Sequence, residues 1–136
     1  MALQAKLILE QQSKFYDVKD LDYELYKPHS NNYKPSAYPE GGLVNFTILS
    51  PMDKNLVFHE WLLKIPSIMK NGKFLLPLSH GTRHIVKELA FEKAHCVRLS
   101  ESYSNYNSSQ MHIRVTISAA KLIFSETLEY SNQDLP

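Results

Sequence analysis

Apolar and polar residues alternate with a period of two through much of this chain, and that pattern limits what it can fold into. Val44, Phe46 and Ile48 alternate with Asn45 and Thr47, and Met111, Ile113, Val115 and Ile117 alternate with His112, Arg114, Thr116 and Ser118. Successive side chains of a strand point to opposite faces, so such runs bury their apolar members only in a sheet with one dry and one wet face. The same reading gives a first strand in which Leu3, Ala5, Leu7 and Leu9 share a face. A second region, Phe15–Val18 with Leu21–Tyr26, places Leu21, Tyr23 and Leu25 together. Leu43–Leu49 reads as a third strand. Ile85–Phe91 and Ala94–Leu99 read as two strands, or as one bent at Glu92–Lys93, and the last strand runs on to Leu122–Phe124.

Breaks in the alternation set the remaining organisation. Three prolines, two asparagines and Gly41–Gly42 keep helix and central strand out of residues 28–42,. Structureless loops of that length are uncommon in compact domains, so the segment reads as a contact arm. A helix is expected over about 53–65, capped by Ser50 or Asp53 and stopped by Pro66. Leu56, Val57, Phe58, Trp61, Leu62, Leu63 and Ile65 form its apolar face, with Trp61 as core anchor,. Asn71–Gly72 predicts a turn, and Pro77 marks Lys73–Leu78 as a strand near an edge. Ser100–Gln110 is expected to be a polar loop, and residues 125–136 a fraying tail. One domain over residues 1–124 follows, mainly β, a small barrel or sandwich with the helix over one opening or edge.

Fifteen basic against fourteen acidic side chains leave a net charge of +1, which favours neither nucleic acid nor an anionic membrane,. A single cysteine, Cys96, excludes a framework of intramolecular disulfides,. Met1–Leu9 carries Lys6 in its only apolar run, so a signal segment is not expected there; synthesis in the cytoplasm and export by another machine is.

The routes to catalysis fail one by one. His59–Glu60 would need a second histidine one turn on to hold zinc, and that position is Leu63,. His80 and His84 flank Gly81 in a turn, where spacing fixes no ligand geometry. His95 and Cys96 are adjacent on a strand and so point apart. Neither a nucleophile elbow nor a phosphate-binding glycine loop is present. The expectation is no enzyme, no metal and no cofactor.

Short motifs in order along the chain resemble one family, the Hcp (TssD) tube proteins of the type VI secretion system, in its short divergent subgroup. They are Ala5-Lys6-Leu7, Tyr16-Asp17-Val18, Tyr23-Glu24-Leu25, Lys34-Pro35-Ser36 with Gly41-Gly42, and Glu60-Trp61-Leu62. Further on come Lys87-Glu88-Leu89-Ala90-Phe91-Glu92-Lys93-Ala94, Ser100-Glu101-Ser102-Tyr103, and Met111 with Thr116-Ile117-Ser118-Ala119-Ala120-Lys121. The resemblance runs from about Ala2 to Ile123. It implies a β-barrel of two packed antiparallel sheets with one α-helix, like the tail-tube proteins of contractile phages. It also implies homo-hexameric rings stacked into a hollow tube, with sheath, spike and baseplate proteins as partners and effectors in the lumen. The arm residues Tyr33, Lys34, Pro35, Ser36, Tyr38, Gly41 and Gly42 would then make subunit or ring-stacking contacts. The chain departs from the subgroup at His80-Gly81-Thr82-Arg83-His84, a neutral to basic turn where an acidic one is usual. The rival reading is a monomeric β-rich ligand-binding module that recognises its ligand through the tyrosines of the arm and of Ser102–Gln110.

Overall fold

The computed structural model describes residues 4–12, 14–27, 41–106 and 110–131. Among them the elements run β1 (Ala5–Leu9), β2 (Phe15–Tyr23), β3 (Leu43–Leu49), α1 (Val57–Leu63), β4 (Lys70–His80), β5 (Arg83–Ser104), β6 (Gln110–Phe124) and β7 (Leu128–Ser131). The strands follow the order β3-β2-β1-β4-β5-β6-β7, all neighbours antiparallel. β3 also pairs β6, from Leu43 opposite Ser118 to Leu49 opposite His112. Six strands therefore close into an uneven barrel, and β7 hangs on the far end of β6. The expected antiparallel β-barrel is thus formed, by one sheet that closes on itself, which leaves few free edges,.

The alternation places the core. Leu7, Leu9, Val44, Phe46, Ile48, Ile113, Val115 and Ile117 all point into the barrel and are buried. A row of rings crosses the interior: Tyr16 and Phe46 meet Phe58, Phe46 meets Phe74, Phe74 meets Phe91, and Phe91 meets Trp61, with centroids 5.0–6.4 Å apart. Edge-on and offset geometries of this kind add to plain area burial.

β5 is one strand of 22 residues, bent as its polar break suggested. The register against β4 slips between Phe91 and Ala94, and Lys93 takes φ 52° at this bulge. The Lys93 N–H donates to Asn71 Oδ1 at 2.9 Å. Asn71–Gly72, expected as a turn, lies inside β4 instead. A Cβ on Gly72 would stand 2.7 Å from both the Ile8 carbonyl oxygen and the Phe91 ring, so this glycine serves close packing of β1 on β4,. Pro77 does sit at an edge: β1 stops pairing β4 at Leu75, and beyond it only β5 flanks the proline.

α1 is shorter than the expected 53–65. Asp53 Oδ1 accepts the Asn55 N–H and Asn55 Oδ1 accepts the Val57 N–H, both at 2.9 Å. These local turns hold residues 53–56 outside the helix, and neither Ser50 nor Asp53 caps it,. A helix of seven residues has room for one inward stripe, so Phe58 and Trp61 are buried while Leu56, Leu63 and Ile65 stay exposed. Lys64 turns extended ahead of Ile65–Pro66,.

Two polar stretches are more ordered than their composition suggested. Ser100–Ser104 continues β5 and pairs Gln110–Arg114, so the expected loop Ser100–Gln110 narrows. The tail expected to fray supplies β7, whose Tyr130 is buried.

Candidate functional site

His59 sits on α1 and ties the helix to β5: its Nε2 lies 2.7 Å from Glu101 Oε1. Leu63, at the position a second ligand would need, is exposed. Among the described residues, no three His, Cys, Asp or Glu side chains come together as a metal site would require. Cys96 points into the core opposite Ile117, and burial pushes its thiol pKa up, the reverse of an activated nucleophile,.

The arm begins and ends on the barrel. Pro28–Glu40, including Tyr33, Lys34, Pro35, Ser36 and Tyr38, lies outside the described residues. Its roots are packed together: a Cβ on Gly41 would stand 2.7 Å from Leu25 Cδ2 and 2.8 Å from the Glu24 carbonyl oxygen. Gly42 is buried in its own subunit at φ 92°, and its carbonyl accepts the Ala119 N–H at 2.8 Å. A Cβ there would meet the Ala119 carbonyl oxygen at 2.8 Å. Gly42 thus seats the arm between β6 and Tyr130 of β7.

The wet face of β2, β3 and β6 forms one polar network. Arg114 Nη1 donates to Asp20 Oδ1 at 3.2 Å and Thr47 Oγ1 at 3.0 Å, and Nη2 lies 3.6 Å from Asp22 Oδ2. Asn45 Nδ2 donates to Asp22 Oδ1, and Thr116 donates to Asn45 Oδ1. These are cross-strand neighbours on the outward side of the alternation,.

A third surface could not be located from pattern alone. β6 begins to pair β5 only at Leu89, and β1 leaves β4 at Leu75. From Leu76 and Lys87 to the tip at Gly81, β4 and β5 therefore pair only with each other among the described residues, as a two-stranded hairpin.

A sequence comparison with curated proteins finds no match. Solved structures do resemble the chain. Hcp1 from Flavobacterium johnsoniae superposes with a TM-score of 0.73 at 20% identity, over 96% of this chain and 100% of that one. The secreted protein Hcp3 from Pseudomonas aeruginosa gives 0.64 at 11% identity, over 96% and 97%. A chain of the anti-feeding prophage baseplate gives 0.52 at 11%, over 94% and 98%. At such identities these likenesses establish the fold. The family model for hemolysin coregulated protein Hcp (TssD) matches residues 1–133, nearly the whole sequence. The closed barrel with its short helix is thus the fold of a type VI secretion tube protein, and the chain belongs to the Hcp (TssD) family.

Proposed function

We propose that the chain is the inner-tube subunit of a contractile type VI secretion machine, with six copies closing a ring and rings stacking into a hollow tube. The observation that carries this reading is the family match over residues 1–133. Ring closure needs one face of a subunit to fit a different face of its neighbour, and stacking repeats such a contact without closing. The Arg114 network supports the reading, because a sheet face made of Asp20, Asp22, Asn45, Thr47, Arg114 and Thr116 suits the wall of a water-filled channel. The arm 28–42, through Tyr33, Lys34, Pro35, Ser36 and Tyr38, reaches a neighbouring subunit. Sheath, spike and baseplate proteins surround and cap the tube, and small effectors travel in its lumen. The protein acts by surface complementarity and is exported by the machine itself.

Light scattering coupled to size-exclusion chromatography, with negative-stain imaging, tests the assembly. Six copies of 15.7 kDa give rings of about 94 kDa. A single subunit-sized species at high concentration and moderate salt would overturn the proposal and favour the monomeric binding module.

A further inference from the structure

The projecting β4–β5 hairpin has three properties at once. It stands beyond β1 and β6, and among the described residues both its outer edges are unpaired. Its core-side face continues the Phe74–Leu89 row as the cross-strand pair Leu78–Ile85, 46% and 54% exposed, and no element among the described residues pairs over it. Its charged side chains, Arg83 and Lys87, have no acidic partner among the described residues. Isolated two-stranded hairpins are marginal in water, so a surface that covers this one also stabilises it.

The complement lies at the other end of the same strands. On the outer face of β1, β4 and β5 a notch of about 260 Å³ opens over the Gly72 backbone, where the small Ala90 leaves the sheet surface low. Glu10 and Glu92 stand on its rim, and neither carboxylate has a cationic partner among the described residues, while Lys73, which also lines the notch, is paired with Glu88 at 3.8 Å. Gly72 and His80 are eight positions apart on β4, roughly 26 Å along the strand,. Hairpin and notch therefore cannot meet within one subunit. Unmatched cations with exposed apolar side chains at one end, and unmatched carboxylates around a recess at the other, are what a head-to-tail contact between identical chains requires.

We propose that the β4–β5 hairpin of one subunit seats in the Gly72 notch of a second copy, setting Arg83 and Lys87 against Glu10 and Glu92 and covering Leu78 and Ile85. The contact runs along the strand axis and does not close on itself, so it repeats from copy to copy. It rests on the reading of the chain as a tube subunit, and it assigns axial contact to a segment distinct from the arm.

Cysteine cross-linking tests it. The double variant Arg83→Cys/Glu92→Cys places two exposable thiols nine positions apart on β5, roughly 30 Å, whereas a disulfide spans at most about 7 Å between Cα atoms,. Mild oxidation is expected to give a ladder of covalent multimers, with each single variant giving none. Absence of a ladder from the double variant overturns the contact, as does an equal ladder from either single variant. Light scattering on the unmodified protein separates the two ideas: rings without a ladder refute only the hairpin contact, and a ladder without rings keeps the contact while refuting the hexamer. As a second readout, Arg83→Glu/Lys87→Glu should raise the concentration needed for assembly more than roughly tenfold through like-charge repulsion. Adding Glu10→Lys/Glu92→Lys to the same chain should recover most of that loss. Failure of this rescue, with the fold intact by circular dichroism, would overturn the pairing.

Discussion

Removing Trp61 tests whether the short helix is held by its core side chains. Trp61 is 1% exposed. Its ring stacks on Phe91 at 6.4 Å and tilts against Phe58 at 6.3 Å. The indole N–H donates to the Ala94 carbonyl at 3.0 Å, joining α1 to β5 by a polar link inside an apolar site. Truncating a buried aromatic to alanine costs roughly 3–5 kcal/mol, against the 5–15 kcal/mol that holds a typical domain. An orphaned Ala94 carbonyl pushes Trp61→Ala toward the upper end of that range. Trp61→Phe keeps most of the ring contact and loses the hydrogen bond, so its cost should be nearer 1–2 kcal/mol, roughly the value of one buried hydrogen bond plus a little volume. The expected fall in melting temperature is about 10–20 °C for alanine and a few degrees for phenylalanine. Thermal and urea unfolding followed by far-ultraviolet circular dichroism, at one fixed protein concentration so that assembly does not confound the comparison, reads both. Trp61→Ala within about 1 kcal/mol of the unmodified protein would refute the argument. Equal damage from the two variants would show that the hydrogen bond, not ring burial, carries the site.

Three other outcomes follow from the same geometry. Shortening the arm between Asn31 and Tyr38 should weaken ring stacking while the β-type circular dichroism spectrum stays; unchanged tube assembly in electron micrographs would remove the arm from the contact. Gly42→Ala should cost about 1–3 kcal/mol, because its φ of 92° and the Ala119 carbonyl both oppose a Cβ,. Gly81→Ala, at φ 62° in open space, should cost less, so an equal loss at both sites in denaturant melts would discount the close approach. The hydrogen bond from Lys14 and the Asn55 N–H hold the Asp53 carboxyl below its usual pKa. A lowered carboxylate contributes stability above its unfolded pKa and loses it as pH falls through the folded value. Asp53→Asn should therefore flatten the acid side of the stability profile slightly, and an unaltered pH dependence of the melting temperature would count against the pair.

What the sequence revealed depended on whether one face of an element was dry. β3 is bounded at Leu43 and Leu49 as the alternation predicted, because its inward side chains are all buried and the others face water. Ser100–Ser104 is exposed throughout and has little apolar content, so nothing periodic distinguishes it from a loop. β7 has four residues, too few for a period, and one buried tyrosine. Asn71–Gly72 misled for a different reason: a glycine needed for close packing has the same letter as a glycine needed for a turn. The helix start was hidden because Asp53 and Asn55 are good caps that spend their oxygens on local turns. For the functional surfaces, the arm was visible in its prolines and glycines. The free hairpin appears only once the register shows where β1 and β6 stop, information that is non-local in the chain.

The closure of β3 on β6 also governs the order in which the molecule can be made. Leu43 pairs Ser118, so the last seam joins segments up to about 75 positions apart, and β1 with β4 is the other pairing between strands that are not consecutive in the chain. Topologies of this kind fold slowly, in milliseconds to seconds, because chain entropy is lost before distant pairings compensate for it. On a ribosome emitting roughly 5–20 residues per second, β3 waits several seconds for its partner. During that wait Val44, Phe46 and Ile48 sit on an open strand edge, the state most prone to pair with another nascent chain. For a subunit made in many copies, the rate of barrel closure therefore competes directly with aggregation at synthesis, and substitutions along the β3–β6 seam should affect yield before they affect the finished assembly.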